Sequence, residues 1–385
     1  MSDVDWPEPR PLPEFPWDLL EPYKARASAV GIIDLSIGTP VDPTPALIRE
    51  ALCAAADAPG YPTVWGPAVL RETIAAWMHR RLGVHASADA VLPTIGSKEL
   101  VATLPFQLSL GRGDTVAIPA VAYPTYDVGV RLADATVVTA DGVEGLERAR
   151  LEALADGRRL RMVWLNSPSN PTGAVMPVRE LADIVAWGRH HGVLIVDDEC
   201  YIELGWEATP VSILHPDVCG ESHEGVLAVH SLSKRSNLAG YRGGFVTGDP
   251  QVIRRLLAIR KHAGSMLPTP VQAAMIAAYR DDAHVEAQRA VYAARRAVLR
   301  PALEAAGFRI DASEAGLYLW ATRGEDSWTT VASLAELGIL AAPGAFYGTA
   351  GDRHVRIALT ATDERIAAAA ARLGEGHMPM AQPRD

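Results

Sequence analysis

Cysteine is scarce in this chain of 385 residues: Cys53, Cys200 and Cys219 are far apart, odd in number and without CxxC spacing. Such a set cannot complete a disulfide framework, so a reducing cytoplasm is the expected setting and no metal site is expected. A basic excess is also missing. Lys and Arg total 36 against 46 Asp and Glu, for a net charge of −10, which argues against nucleic acid as a partner because phosphates would go unneutralised. No apolar run approaches the roughly 20 residues that span a bilayer. The opening MSDVDWPEPRPLPEFPW is acidic and proline-rich where an export signal would be basic and then apolar. A small molecule is the expected partner, with neither a membrane nor a nucleic acid.

What is present, 49% hydrophobic and 21% charged residues, suits a globular chain large enough for two domains. Five prolines among the first 16 residues, Pro7, Pro9, Pro11, Pro13 and Pro16, remove backbone donors and predict an extended arm. EGHMPMAQPRD at the other end lacks periodicity and predicts a frayed tail. Between them, the apolar runs VRLADATVV, RMVWLN, VLIVDDE, VLAVHSLSK and GGFVTGD alternate with helical patterns such as LRETIAAWMHRRLG. This alternation predicts an α/β fold with a mostly parallel sheet and helices on both faces. From about residue 283 the pattern changes to one long helix containing Pro301, the short strands FRI and GLYLWA, and a last alanine-rich helix after Thr362. A smaller α+β domain is expected there. The boundaries read as an arm with part of the small domain over 1–45, a large domain over 46–282 and the small domain over 283–385.

Ligands of open α/β sheets bind beyond the carboxyl ends of the strands, and five such ends carry polar or aromatic residues: GSKEL after AVLPTI, AVAYPTY after TVAIP, NSPSNPTG after MVWL, DDECY after VLIV and HSLSK after VLAV. Singly, each has a plainer reading. GSKEL is a helix start, NPTG a turn, Asp197 and Asp198 solvated acids, Tyr123 and Tyr126 packing, and Arg242 a surface charge. Together they supply a lysine, an acid, donors, an aromatic face and an anion site, the set that pyridoxal phosphate requires.

The order and spacing of these loops resemble the aspartate aminotransferase family of fold type I pyridoxal-phosphate enzymes, over nearly the whole chain. The resemblance implies a seven-stranded, mostly parallel sheet plus a smaller domain. It implies Lys234 as the lysine that carries the cofactor and moves protons. Ser231, Arg242 and the turn Gly96, Ser97 and Lys98 would hold the phosphate, Asp198 the ring nitrogen, Asn170 and Tyr201 the ring oxygen, and Tyr123 the ring face. Tyr61 in GYPTVWG would reach the phosphate of a neighbouring subunit, making a homodimer with shared active sites. Gly38 in SIGTPVDPTP and Arg356 in HVRIALT would receive the substrate carboxylate.

Within the family, FPWDLLEPYKARA, GYPTVWGPAVLR, SLSKRSNLAGYR and MLPTPVQAAMIAA most resemble the actinobacterial-type succinyldiaminopimelate transaminases. The implied reaction takes N-succinyl-LL-2,6-diaminopimelate and 2-oxoglutarate to the 6-oxo compound and glutamate, in lysine biosynthesis. Another aminotransferase, for aspartate, an aromatic amino acid or a specialised metabolite, would keep the same cofactor residues. Arg235 and Trp65 stand as candidates for reading the distal end of the substrate, each set against a structural role that the sequence favours. A regulator with an aminotransferase-like domain would need a DNA-binding segment, for which the short acidic N-terminus has no room.

Overall fold

The computed structural model describes residues 11–375. Pro7 and Pro9 of the expected arm, and all of the expected tail beyond Glu375, lie outside the described residues. Among the described residues no helix is long and apolar enough to cross a membrane.

Among the described residues thirteen strands form three sheets. β1 (Ile33–Asp34) comes first, followed by β2 (Val91–Ile95), β3 (Asp114–Ile118), β4 (Thr136–Thr139), β5 (Arg159–Leu165), β6 (Leu194–Asp198), β7 (Val226–Ser231) and β8 (Gly243–Gly248). β9 (Arg309–Asp311), β10 (Tyr318–Thr322), β11 (Ile339–Leu340), β12 (Ala342–Pro343) and β13 (Val355–Ala358) complete the set. The large sheet has the order β2-β8-β7-β6-β5-β3-β4. β8 is antiparallel to both its neighbours and every other pair is parallel. Such strands are covered on both faces, which is why β7 and β8 are buried throughout. The chain order changes direction between β5 and β3, so the loops after these two strands diverge and leave a crevice.

The run VRLADATVV is not one strand. A helix over Thr125–Leu132 takes its first residues and β4 begins at Thr136, because Asp134 turns the chain with φ of 61° between them. A run of β-branched residues cannot by itself distinguish a helix end from a strand start.

Apart from the apolar layers on the large sheet, a separate core gathers Leu20, Ile33 and Leu35 with Tyr292, Leu299, Leu319, Ile357 and Leu373. β1 pairs in parallel with β11, the Leu35 N–H donates to the Leu340 carbonyl at 2.8 Å, and the Ala358 N–H donates to Leu35 at 2.8 Å. These bonds carry residues 36–38 to the side of β13. Asp42 then accepts both Arg295 Nη atoms at 2.8 and 2.5 Å, a fork that fixes the loop to the helix over Ala283–Ala305.

Candidate active site

The crevice encloses a cavity of about 270 Å³ whose lining includes Gly38, Ser97, Lys98, Tyr123, Asn170, Asp198, Tyr201, Ser231, Lys234, Arg242 and Arg356. Eleven of the thirteen residues expected from the sequence thus converge from segments distant in the chain. Of the other two, Gly96 lies directly behind Arg242. Tyr61 is 94% exposed and does not line the cavity of its own chain.

At one end is an anion cradle. The helix over Gly96–Gln107 has no side-chain cap at its start, so its first N–H groups are left for other partners beside Ser97 and Lys98, which line the cavity. Gly96 has φ of 69°, and a Cβ there would fall 2.2 Å from Arg242 Nη2. Only glycine permits both the turn and the approach of the guanidinium. Gly244 is required similarly, since its Cβ would fall 2.8 Å from the His230 carbonyl. Arg242 is itself left-handed with φ of 58°, and its Nη1 donates to Ala239 at 2.8 Å. Ser231 caps the turn over Leu232–Arg235: its Oγ accepts from the Ser233 N–H at 3.1 Å and donates to Ser233 Oγ at 2.9 Å. That turn is helical, where the sequence suggested a loop.

At the other end Asp198 closes β6. It accepts from the Tyr126 hydroxyl at 3.0 Å and the Cys200 N–H at 3.2 Å. Burial raises its pKa against these hydrogen bonds, and a cationic ring nitrogen opposite it would return the carboxyl to its charged form. Asn166 ties the neighbouring loop in, donating to the Asp198 carbonyl at 2.6 Å and accepting from the Asn170 N–H at 2.7 Å.

Lys234 Nζ donates to the Gly38 carbonyl. Burial lowers its pKa, opposed by Tyr318 and reinforced by Arg356 and Arg242. Arg356 is 2% exposed. Its Nη1 donates to Asn170 Oδ1 at 2.9 Å and its Nη2 to the Ser36 carbonyl at 2.6 Å, while its Nε is buried without a partner. A buried orphan donor on a guanidinium suits an anionic ligand. Burial lowers the Arg356 pKa, but Tyr347, Tyr318, Tyr201 and Tyr123 together raise it overall.

Arg235 and Trp65 do not face the cavity. Arg235 is buried beneath it, bonded to Glu203 and set 5.3 and 5.1 Å from the rings of Trp77 and Tyr279. Trp65 carries the Arg71 guanidinium on its face at 4.0 Å. For Arg235 the cause is local, because the spacing that brings Lys234 to the cavity turns the next side chain inward. Residues passed over in the sequence are Trp17, Tyr126, Asn166, Ser233 and Tyr318, all of which line the cavity. Tyr126 and Asn166 sit within loops singled out for other members. Tyr318 offered no signal, being one apolar position of a strand pattern.

The family model for aminotransferase class I and II matches residues 30–373. The chain belongs to the class I and II aminotransferases. Among curated members of this family, the 4-dedimethylamino-4-oxo-anhydrotetracycline transaminase OxyQ of Streptomyces rimosus is 60% identical, over 94% of this chain and 99% of its own. An LL-diaminopimelate aminotransferase of Dehalococcoides mccartyi is 35% identical, over 90% of this chain and 92% of its own. The substrate-bound structure of BacF from Bacillus subtilis superposes with a TM-score of 0.85 at 26% identity, covering 97% of this chain and 98% of that one. As an aminotransferase of this family the chain is a pyridoxal-phosphate enzyme acting on amino and keto substrates, and the anion cradle, buried acid and buried amine fit that cofactor in size and chemistry.

Proposed function

We infer that this aminotransferase delivers an amino group to a ring ketone of specialised metabolism, a polycyclic substrate of the kind named for OxyQ. The observation that carries this reading is the 60% identity to OxyQ over nearly the full length of both chains. A second feature supports it. An apolar groove of about 950 Å³ shares Tyr123 with the cofactor cavity and is lined by Leu12, Phe15, Ile118, Val128 and Phe346. A cavity of 270 Å³ filled by the cofactor leaves little room for several fused rings, and the groove supplies it.

The residues divide the work as follows. Ser97, Lys98, Ser231, Arg242 and the uncapped helix start hold the phosphate, with Tyr61 of a second subunit completing it in a homodimer. Tyr123 covers the ring, Asp198 holds a proton on the ring nitrogen, and Asn170 and Tyr201 bind the ring oxygen. Pyridoxal phosphate supplies an electrophilic aldehyde and a ring that withdraws electrons from the carbon bearing the amino group. Lys234 tethers it and moves a proton at Nζ, for which a basicity lowered by burial helps free the amine. Arg356 clamps the α-carboxylate of the amino donor, with Gly38 giving it room to approach. In this reading residues 46–282 form the cofactor domain and 1–45 with 283–385 the part that carries the clamp.

A second reading, transamination of N-succinyl-LL-2,6-diaminopimelate, is favoured by the 35% identity to LL-diaminopimelate aminotransferase and by the motifs quoted above. One assay separates the two. kcat/KM is measured with a polycyclic ring ketone and glutamate, and with N-succinyl-diaminopimelate, aspartate or phenylalanine as donors to 2-oxoglutarate. The polycyclic ketone should be preferred. Preference for N-succinyl-diaminopimelate replaces the first reading by the second, and preference for aspartate or phenylalanine rejects both.

A further inference from the structure

Tyr318 lies on β10 and lines the same cavity as Lys234. Three neighbours define its place. Its hydroxyl lies 3.1 Å from the Tyr201 hydroxyl. Gly38 packs so closely that a Cβ there would fall 2.0 Å from the same oxygen. The guanidinium carbon of Arg356 sits 4.0 Å from the ring centroid, within stacking distance. Tyr318 therefore touches the group assigned to the ring oxygen, the group assigned to the substrate carboxylate, and the glycine whose carbonyl accepts from Lys234.

A tyrosine hydroxyl has one proton to donate. If Tyr201 gives its proton to the cofactor's ring oxygen, the proton between the two phenols has to be the one on Tyr318. We propose that Tyr318 is a positioning residue for transamination, donating to Tyr201 so that the Tyr201 proton is aimed at the ring oxygen, and seating the Arg356 guanidinium on its ring. This rests on the role given to Tyr201 above. The charges support the direction of the bond. Burial raises the Tyr318 pKa, but Arg356 and Lys234 lower it overall, whereas burial and Tyr318 push Tyr201 well up. The more acidic phenol is the better donor.

The test uses the full-length protein loaded with pyridoxal phosphate and reads the pH midpoint of the change in its visible absorbance. A hydrogen bond to the ring oxygen stabilises its anion, so weakening that bond raises the midpoint. Tyr201→Phe should raise it most. Tyr318→Phe, which keeps the ring, should raise it by about half a unit to one unit with the donor KM within roughly threefold of wild type. Tyr318→Leu, which loses the ring, should raise the donor KM about tenfold through loss of the Arg356 seat. An unchanged midpoint in Tyr318→Phe beside a shifted one in Tyr201→Phe overturns the proposal and leaves the function standing. Unchanged midpoints in both overturn it together with the role of Tyr201. A donor KM as high in Tyr318→Phe as in Tyr318→Leu overturns the seat. Equal melting temperatures of the cofactor-free variants show that folding is not the cause.

Discussion

The chemistry of single residues here is governed by burial. The chain has four lysines, Lys24, Lys98, Lys234 and Lys261, and Lys234 alone combines a buried position with a lowered pKa. Lys234→Ala should abolish borohydride trapping of the cofactor on the peptide containing residue 234 and lower turnover by about 10²–10⁴; trapping at that peptide's expense on Lys98 with normal turnover would reject the tether. Arg356→Lys keeps the charge and loses the fork, so KM should rise about tenfold or more for every carboxylate-bearing donor, with kcat less affected.

Asp197 behaves differently from its neighbour Asp198. It accepts from the Ser167 N–H at 3.0 Å, its second oxygen is without a hydrogen bond, and burial beside the Asp198 charge pushes its pKa up to about 8. An acid raised above its unfolded value near 4 binds its proton more tightly in the native state, so its contribution is fully present below about pH 4 and is lost as pH rises through about 8. Asp197→Asn retains the acceptor and removes the titration. Urea midpoints of the cofactor-free protein should fall between pH 5 and pH 8 in wild type and fall distinctly less in the variant.

Elements place these residues by backbone bonds more than by side chains. The NPTG loop is sewn to the connection between β9 and β10 by the Ser313 N–H donating to Thr172 at 2.8 Å and the Ala315 N–H donating to Gly173 at 2.9 Å. β1 on β11 brings Ser36 and Gly38 from the opposite side. Asn170, Arg356 and Gly38 meet because three segments distant in sequence share those bonds. The anion cradle depends instead on one turn. Gly96→Ala would force a left-handed alanine against Arg242, and such a residue costs on the order of 1–3 kcal/mol. The variant should release pyridoxal phosphate more than tenfold more readily by equilibrium dialysis, and melt lower.

At the scale of the whole molecule, exposed Tyr61 matters most. Its 94% exposure suits a side chain that is completed by a second subunit. A hydroxyl bonded to a charged acceptor contributes about 1.5–3 kcal/mol, so Tyr61→Phe should weaken cofactor retention roughly ten- to a hundredfold while sedimentation still finds a dimer. A fully loaded, active monomer would contradict this. The groove beside Tyr123 makes a separate demand: Val128→Trp should fill it, raising KM for a polycyclic ketone while leaving the exchange between glutamate and 2-oxoglutarate unchanged.

Strand periodicity and the polar residues that follow each strand were legible in the sequence, because a buried parallel sheet needs continuous apolar runs and its loops emerge on one edge. That made the α/β class readable, whereas the roles expected of Lys234, Asp198, Asn170, Arg242 and Arg356 came from the resemblance of their motifs to the family. Tyr318 was not readable, since an inward tyrosine and a packing leucine obey the same pattern and only the crossing of β10 over Gly38 distinguishes them. Whether Arg235 and Trp65 read the substrate or pack the fold was equally open in the sequence, because which side of the chain meets the cavity is set by tertiary packing. Substrate choice lies furthest from the sequence pattern, because the groove that would hold the substrate is assembled from residues 12–19, 118–139, 152 and 345–348, segments with no local feature in common. The sequence by itself determined the chemistry of the cofactor site, and the tertiary structure alone decided how much space lies beside it.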